Sequence, residues 1–227
     1  MHLKNIFTYT AKGLLTVILS CFFYTITFCD TDCDDVLTKL SEKNFRIFSI
    51  KADFKIEKYI YIVENKLESY GDFIFKSPDK FRWETKKPEK STIICDGEKV
   101  TIYYPEIEEK EEYPITKYTW LNNLFKDLPI GSQFDVDMLK KKYNIKRVPG
   151  DSASDNVCLK LKPQKAENEV GYKLIEIQVL KKDFSIKKIT LYEYDDDMMT
   201  ISFSNIIHNQ DFDEDIFKKI NLKEGEK

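Results

Sequence analysis

Residues 76–100, KSPDKFRWETKKPEKSTIICDGEKV, carry the clearest local pattern in the chain. Phe81 and Trp83 alternate with polar residues, and successive side chains of a strand point to opposite faces. Prolines lie on both sides of this strand, and the pair Asp96-Gly97 is a strong hairpin signal after the next one. The stretch therefore predicts short antiparallel strands that hold Phe81 and Trp83 on one face.

The same alternation predicts further strands on either side of this stretch. The predicted strands are residues 50–57, 59–63 (either continuing the first or beginning the next), 70–75, 80–85, 92–95, 100–104, 143–148, 157–161, 172–180, 186–194 and 198–207. Turn-like linkers join them, and there is no regular alternation of strands with helices, which argues against a parallel sheet. The sequence predicts a mainly β domain in which about ten antiparallel strands form one curved sheet.

Three segments have apolar residues at helical spacing. Residues 30–44 begin with acidic side chains, which favour the positive end of a helix dipole. Residues 120–128 follow Thr119 as an N-cap, and a short helix after Phe134 is capped by Asp135. Residues 106–112 are predicted to be an acidic connector, and Phe217 is predicted to anchor the tail. The helices either complete an ordinary core or form a lid over a cavity, because the apolar face of a one-layer sheet must be covered or used.

The first 29 residues differ in character from the rest. Lys4 and Lys12 precede an apolar run at 14–28, and no acidic residue occurs before Asp30. This order is typical of a secretory signal peptide, and the run is shorter than the roughly 20 residues that span a membrane. We predict a signal peptide in residues 1–29 and a single exported domain in residues 30–227. An uncleaved anchor, or a lipid attached to Cys21, remains as an alternative.

Charge and cysteine content exclude several classes of protein. The 36 basic and 39 acidic residues give a net charge of -3 and are finely interleaved, so there is no basic stripe for nucleic acid. Removal of a signal peptide would leave Cys33, Cys95 and Cys158, which allow at most one disulfide or stay reduced. Their spacing is not that of a zinc site.

The sequence offers little for catalysis. His2 lies in the predicted signal peptide, and His208 lies among polar residues at a strand end, which is typical of a solvated turn rather than of a general base. No motif of a serine nucleophile, a zinc protease or a phosphate-binding loop is present. The acidic runs 30–35 and 195–197 lack EF-hand spacing, so a helix N-terminus and an exposed turn explain them. We predict a protein without enzymatic activity or cofactor; a secreted hydrolase is the weakest alternative.

Residues 71–105, GDFIFKSPDKFRWETKKPEKSTIICDGEKVTIYYP, resemble the signature of the outer-membrane lipoprotein carrier family, LolA. The matching positions are Gly71, Pro78, Phe81, Trp83, Pro88, Asp96, Gly97, Tyr103 and Pro105. The flanks are similar too: IKADF at 50–54 and the tail NIIHNQDFDEDIF at 205–217. Ser77 departs from the family, where a basic residue is thought to tie the lid, and Lys76 or Arg82 could substitute for it. Thr101 replaces a frequent aromatic residue, and the acidic connector is also unlike the best-matched members.

The resemblance implies an unclosed antiparallel β-barrel, a curved single sheet with short helices covering its concave face. It also implies a monomeric periplasmic shuttle that binds no nucleic acid. Such a shuttle takes lipoproteins from an inner-membrane ABC lipoprotein-release transporter to an outer-membrane lipoprotein receptor. The residues implied to contact the acyl chains are Ile50, Phe54, Phe81, Trp83, Ile93, Leu121 and Leu124. The alternative on the same fold is a membrane-tethered lipoprotein receptor or acyl-chain sensor.

Overall fold

The computed structural model of the protein describes residues 31–115, 134–148, 155–164 and 172–218. The chain divides into two compact units, Met1–Thr31 and Asp32–Lys227, and every strand below belongs to the second. The predicted signal peptide and the predicted helix at 120–128, with Leu121 and Leu124, lie outside the described residues. None of the helices in the described part of the chain has the length and apolarity needed to cross a bilayer.

The described residues form two α-helices, two short 3-10 helices and eleven strands. The helices are α1 (Thr31–Phe45), α2 (Val136–Lys142) and the 3-10 helices Tyr61–Val63 and Glu214–Phe217. The strands are β1 (Ser49–Ile60), β2 (Asn65–Lys76), β3 (Lys80–Lys87), β4 (Ser91–Cys95), β5 (Lys99–Tyr104), β6 (Glu109–Pro114), β7 (Tyr143–Val148), β8 (Asn156–Pro163), β9 (Tyr172–Leu180), β10 (Ile186–Glu193) and β11 (Met198–His208).

All eleven strands belong to one antiparallel sheet with the order β6-β5-β4-β3-β2-β1-β11-β10-β9-β8-β7. Strand β1 pairs with both β2 and the last strand, β11, and so joins two meanders. Strands β6 and β7 are the two edges, and they do not pair with each other within the described ranges, so the sheet is not closed. The prediction of a mainly β fold built on one open antiparallel sheet with helices is confirmed.

One face of this sheet, which carries Phe54, Phe73 and Trp83, packs against α1 and is called the helix face. The other face, which carries Ile74, Arg82 and Ile94, is called the outer face, because strand residues alternate between the two. On α1 the buried apolar residues recur at helical spacing and form one apolar stripe. They are Cys33, Val36, Leu37 and Leu40. Leu139 of α2 belongs to the same core as this stripe, so both helices bury their apolar sides on the sheet.

The sequence correctly predicted one helix cap and one hairpin turn. Asp135 caps α2, and its side chain accepts hydrogen bonds from the backbone N–H groups of Asp137 and Met138 at 2.8 and 3.0 Å. Asp96 accepts in the same way from two N–H groups of the β4–β5 turn, each at 2.9 Å. Gly97 in that turn has φ of 100°, a conformation that glycine adopts without steric cost. These bonds are local, which explains why the sequence was sufficient to predict them.

Two exposed segments were predicted wrongly. Residues 109–112 of the acidic connector belong to β6, which pairs with β5 along its whole length. Tyr59 and Ile60 continue β1, which was one of the two predicted alternatives, but residues 61–63 form a 3-10 helix, and β2 begins at Asn65 rather than Tyr70. These segments are polar or exposed on both faces, so they lack the alternation that marks a half-buried strand. Cys33, Cys95 and Cys158 are present as thiols, which agrees with the reduced alternative.

Candidate apolar binding site

Four aromatic rings form a continuous row on the helix face. The ring centroids of Phe54 and Trp83 lie 4.3 Å apart, those of Phe73 and Trp83 lie 5.2 Å apart, and those of Phe73 and Phe203 lie 6.0 Å apart. The register explains the row, because Phe73 faces Trp83 across β2 and β3, and Phe54 faces Phe203 across β1 and β11. Tilted pairs at such distances contribute ~0.5–1.5 kcal/mol each beyond their buried area. The row therefore runs across four neighbouring strands.

Gly71 makes room for this row. It lies opposite Phe54 in the β1–β2 ladder. A Cβ atom at this position would lie 1.8 Å from the carbonyl oxygen of Glu84 and 2.8 Å from Cζ of Phe54. Only a residue without a side chain allows this close approach, so Gly71 lets the Phe54 ring lie against β2 and reach Trp83.

At β11 the row ends in a cleft between the sheet and the end of α1. The cleft opens to solvent and has a cavity volume of only about 40 Å³, far below the ~300–1,000 Å³ usual for small-molecule sites. Its lining is mainly apolar and includes Ile47, Ile50, Phe73, Ile186, Phe203 and Ile206. The cleft is therefore a small apolar opening, which an acyl chain could occupy only if its lining moved.

Phe184 forms one side of the mouth and is held in an unusual conformation. Its φ of 54° lies in the left-handed region, which costs a non-glycine residue ~1–2 kcal/mol. The turn is fixed by Asp183, whose Oδ1 accepts from the backbone N–H of Ser185 at 3.0 Å and from its hydroxyl at 2.6 Å. The ammonium group of Lys39 on α1 lies 5.7 Å from the ring centroid of Phe184. Phe184 is thus positioned between α1 and the cleft.

The polar groups of the cleft carry little charge. Asn44 is buried, and its amide donates to the carbonyl oxygen of Leu40 at 2.8 Å. His208 is the last residue of β11, faces Ile50 across the ladder and is half-buried, so it does not lie in the solvated turn that we predicted. Burial lowers the pKa of His208, and nearby Lys43 lowers it further, which favours the neutral imidazole. A neutral ring at the mouth is compatible with apolar cargo.

One cluster of carboxylates lies close enough to surround a cation. The ligand oxygens of Glu193, Asp195 and Asp197 all lie within 4.8 Å of one another. However, Oδ1 of Asp197 accepts the backbone N–H of Tyr61 at 2.9 Å. The ammonium group of Lys58 lies 3.7 Å from Asp197 and 3.9 Å from Glu193. Lys58 is therefore the counter-ion of this cluster, and the carboxylates stabilise the turn.

Comparison with known proteins places the fold in a family. The family model described as "Outer membrane lipoprotein carrier protein LolA" matches residues 46–219. The chain belongs to the LolA family. A relative from Coxiella burnetii, described as an outer-membrane lipoprotein carrier protein, is 24% identical over 208 residues, which is 90% of this chain and 92% of the relative. One of the same description from Francisella tularensis subsp. tularensis is 24% identical over 193 residues, 83% of this chain and 89% of the relative.

A solved structure is similar to this LolA-family member over most of its length. An uncharacterized conserved protein from Thermus thermophilus matches with a TM-score of 0.54 at 11% sequence identity. The match covers 85% of this chain and 96% of that protein. At this identity the likeness supports the fold alone.

The residues that the LolA resemblance implied for ligand contact occupy different environments. Ile50 lines the cleft, and Ile93 is half-buried against the main core. Phe54, Phe81 and Trp83 are only 3–6% exposed and belong to that core. Their contact with a ligand stays a prediction, as does that of Leu121 and Leu124.

Most residues of the cleft were not singled out from the sequence, which named only Ile50 and His208. Phe73, Ile186 and Phe203 are examples of those missed. Alternation identifies them as facing a core, and Phe73 lies within the family signature. Which of these core-facing residues border an opening depends on the pairing of β1 with β11, and that pairing has no local signal.

On the outer face, basic residues of β2 and β3 hold the C-terminal segment. The ammonium group of Lys76 donates to Glu214 at 2.6 Å, and Lys80 bonds the other oxygen of the same carboxylate. Arg82 donates to the carbonyl oxygen of Ile216 at 3.3 Å. The hydrogen bond from Lys76, followed by that from Lys80, lowers the pKa of Glu214 to about 2. Lys76 and Arg82, the two candidates for the missing basic residue of the family, thus bind the C-terminal segment.

The anchor at the end of this segment is confirmed. Phe217 is 1% exposed and packs against Ile74 of β2 and Ile94 of β4. This small cluster lies on the outer face, opposite the aromatic row. The sheet is therefore covered on both sides where β2, β3 and β4 run together.

Proposed function

We propose that this LolA-family protein binds the acyl chains of lipoproteins on its helix face, with the cleft as the first contact. It would act in the periplasm, accepting lipoproteins from an inner-membrane ABC lipoprotein-release transporter and delivering them to an outer-membrane lipoprotein receptor. The observation that carries the proposal is an apolar cleft that opens to solvent and continues into a row of aromatic rings. The names of its relatives, outer-membrane lipoprotein carrier proteins, support the same role.

The chemistry of the cleft suits an acyl chain. An acyl chain offers no hydrogen-bond partners, and its burial contributes roughly 0.8 kcal/mol per methylene group. Binding by area needs no fixed polar pattern, so the protein part of the cargo is free to vary. The aliphatic and aromatic lining meets this requirement, and the neutral His208 adds no charge that the ligand would have to compensate.

The buried residues of the row would enter the site if α1 moved. Leu37 and Leu40 of α1 share one core with Phe54, Phe81 and Trp83. Displacement of α1 by an acyl chain would replace one set of apolar contacts with another, so the net change in free energy would be small. Phe184, held between α1 and the mouth, is placed where such a movement would begin. In this mechanism the cleft is the mouth and the aromatic row is the floor of the loaded site.

Two adjacent isoleucines provide a matched test. Ile206 lines the cleft, whereas Ile207 is 50% exposed and does not. A polar amide in the apolar lining costs ~1–3 kcal/mol, so Ile206→Asn is expected to weaken binding of a fluorescent triacylated lipopeptide by about tenfold or more. Ile207→Asn is expected to bind like the unmodified protein. Equal affinities of the two variants, or no binding by the unmodified protein, would contradict the site.

A fractionation experiment tests transport separately from binding. The full-length protein is purified from the periplasmic fraction of cells that produce it, and bound material is identified by mass spectrometry. Acylated lipoproteins that co-purify with the protein support a carrier. Recovery of the protein only in washed membranes would replace the carrier with the membrane-tethered receptor.

A further inference from the structure

The hairpin of β1 and β2 extends beyond its neighbour β3. The two strands pair along their whole length, from Ser49 with Lys76 to Ile60 with Asn65. Strand β3 pairs with β2 only from Tyr70 onward, so residues 65–69 of β2 run past the end of that ladder. On its other side β1 pairs with β11 as far as Tyr59, so the projection consists of the turn at residues 61–63 and of residues 65–69 of β2, which pair with no second strand within the described residues.

The end of this projection is apolar and exposed. Tyr61, Ile62 and Val63, which we call the hairpin tip, are 57%, 88% and 62% exposed. Leu67, nearby on β2, is 49% exposed. Single exposed apolar residues are common, whereas three in succession form a contiguous apolar patch, which is a candidate contact surface.

The hairpin tip is held in a fixed shape. The backbone N–H of Glu64 donates to the carbonyl oxygen of Tyr61 at 3.2 Å, and Glu64 takes a left-handed conformation with φ of 48°. The N–H of Tyr61 donates to the carboxylate of Asp197 in the β10–β11 turn. Asp197 is buried and has Lys58 as its counter-ion. A fixed tip loses little conformational freedom on binding, which favours its use as a docking element.

The rim of the hairpin tip is acidic. Glu64, Asp195 and Asp196 are exposed at this end of the sheet, and Lys173 pairs with Asp196. Among the described residues at this end of the sheet, Lys58 pairs with Glu193 and with the buried Asp197, and Lys173 pairs with Asp196. The exposed groups left outside these pairs are the carboxylates of Glu64 and Asp195 and the ammonium group of Lys66. The hairpin tip is thus an exposed apolar surface with carboxylates at its edge.

We propose that the hairpin tip docks into a partner protein that presents an apolar recess bordered by Lys or Arg. An apolar centre with a charged rim is the usual composition of a protein interface, and the rim selects a partner of opposite charge. A bilayer with anionic headgroups would repel the carboxylates. A second copy of this chain would bring one acidic rim against another. Charge complementarity therefore favours a basic protein.

The proposal is independent of the acyl-binding site. Ile50 borders the cleft, and Ile60 precedes the hairpin tip, ten residues further along β1. At ~3.3 Å per residue they are roughly 33 Å apart. A partner at the hairpin tip therefore leaves the mouth of the cleft open, so docking and ligand exchange can occur together.

The test places a photo-crosslinking amino acid at Ile62 of the full-length chain in the cells that make it. Ile107, which is 66% exposed in the β5–β6 turn, is the matched control position. We expect one protein adduct at Ile62 that is missing at Ile107. Its crosslinked peptide, identified by mass spectrometry, should combine apolar residues with Lys or Arg. Reversal of the rim by Glu64→Lys and Asp195→Lys together should reduce the adduct about tenfold, because like charges would then meet.

Several results would overturn the proposal. These are no adduct at Ile62, the same adduct at Ile107, an adduct with lipid or a second copy of the chain, and an adduct that charge reversal does not reduce. Purified protein is also sedimented with vesicles of phosphatidylcholine, alone or mixed with phosphatidylglycerol. Co-sedimentation that Ile62→Ser abolishes would assign the hairpin tip to a membrane and not to a protein.

Discussion

The two faces of β2 and β3 differ in how they make contact, although their residues alternate along the same strands. Phe73 and Trp83 on the helix face pack by area against apolar groups. Lys76 and Arg82 on the outer face make directional bonds to the C-terminal segment. Apolar packing is non-directional, so one apolar partner can replace another. Hydrogen bonds and ion pairs require their donor and acceptor groups at fixed distances and angles.

This difference suggests that the two faces of the sheet have separate roles. We infer that the outer face keeps the strands in place while the helix face exchanges α1 for a ligand. The C-terminal segment contributes to this by joining β2, β3 and β4 through Glu214 and Phe217. Substitutions on the two faces should therefore differ in size and in kind.

The largest effect is expected when Trp83 is compared with its neighbour Arg82. Trp83→Ala removes the centre of the aromatic row and leaves a cavity, so we expect it to lower the free energy of unfolding by ~3–5 kcal/mol. Arg82→Ala removes hydrogen bonds to Ile216 and Glu84, with an expected loss of ~1–3 kcal/mol. Urea unfolding measures both values.

Hydrogen exchange separates the two faces further. Arg82→Ala should speed amide exchange in residues 212–217, whereas Trp83→Ala should accelerate exchange there only through global unfolding. If the two variants have the same exchange pattern, the two faces are not independent.

An intermediate effect is expected from Gly71→Ala. The new Cβ would collide with the backbone carbonyl oxygen of Glu84, which rotation of a side chain cannot relieve. We expect a loss of ~1–3 kcal/mol in the free energy of unfolding, measured in urea. Because the backbone contact is the closer of the two, adding Phe54→Ala should not restore stability. Lys66→Ala on the exposed part of β2 is the control, with an expected change within ~0.5 kcal/mol. A Gly71→Ala protein as stable as this control would refute the assignment.

The smallest effect concerns Glu214 and its two lysines. Their hydrogen bonds hold the folded-state pKa of Glu214 at about 2, below its ordinary value of 4.5. A depressed pKa stabilises the fold above about 4.5, and this stabilisation is lost as the pH falls towards about 2. Glu214→Gln should therefore have a lower Tm than the unmodified protein at neutral pH, and the difference in Tm should disappear on acidification.

Glu89→Gln, in the exposed β3–β4 turn, is the control. A gap that does not change with pH would contradict the pairing.

The sequence predicted much of the fold because its strongest signals are local. Alternation located ten strands that have a buried face, one of them only in its second half, and the bonds of Asp96 and Asp135 join residues two or three positions apart. Strand β6 and the first half of β2 were missed, because an exposed edge or projection requires no apolar face. The hairpin tip was missed for the same reason: residues 59–63 resemble a strand in composition, and only their exposure distinguishes them.

The sequence by itself determined which residues face a core, because alternation follows from the geometry of the strand. Only the tertiary structure decided which of those residues lie together. Phe54 faces Phe203 through the pairing of the first and last strands, far apart in the chain. That pairing brings Phe203 to Phe73 and forms the cleft, while Phe54, Phe81 and Trp83 are sealed in the core. The same holds for Lys76 and Arg82, whose partner segment lies far along the chain. Contacts between distant segments depend on packing of the whole sheet, and no local pattern encodes them.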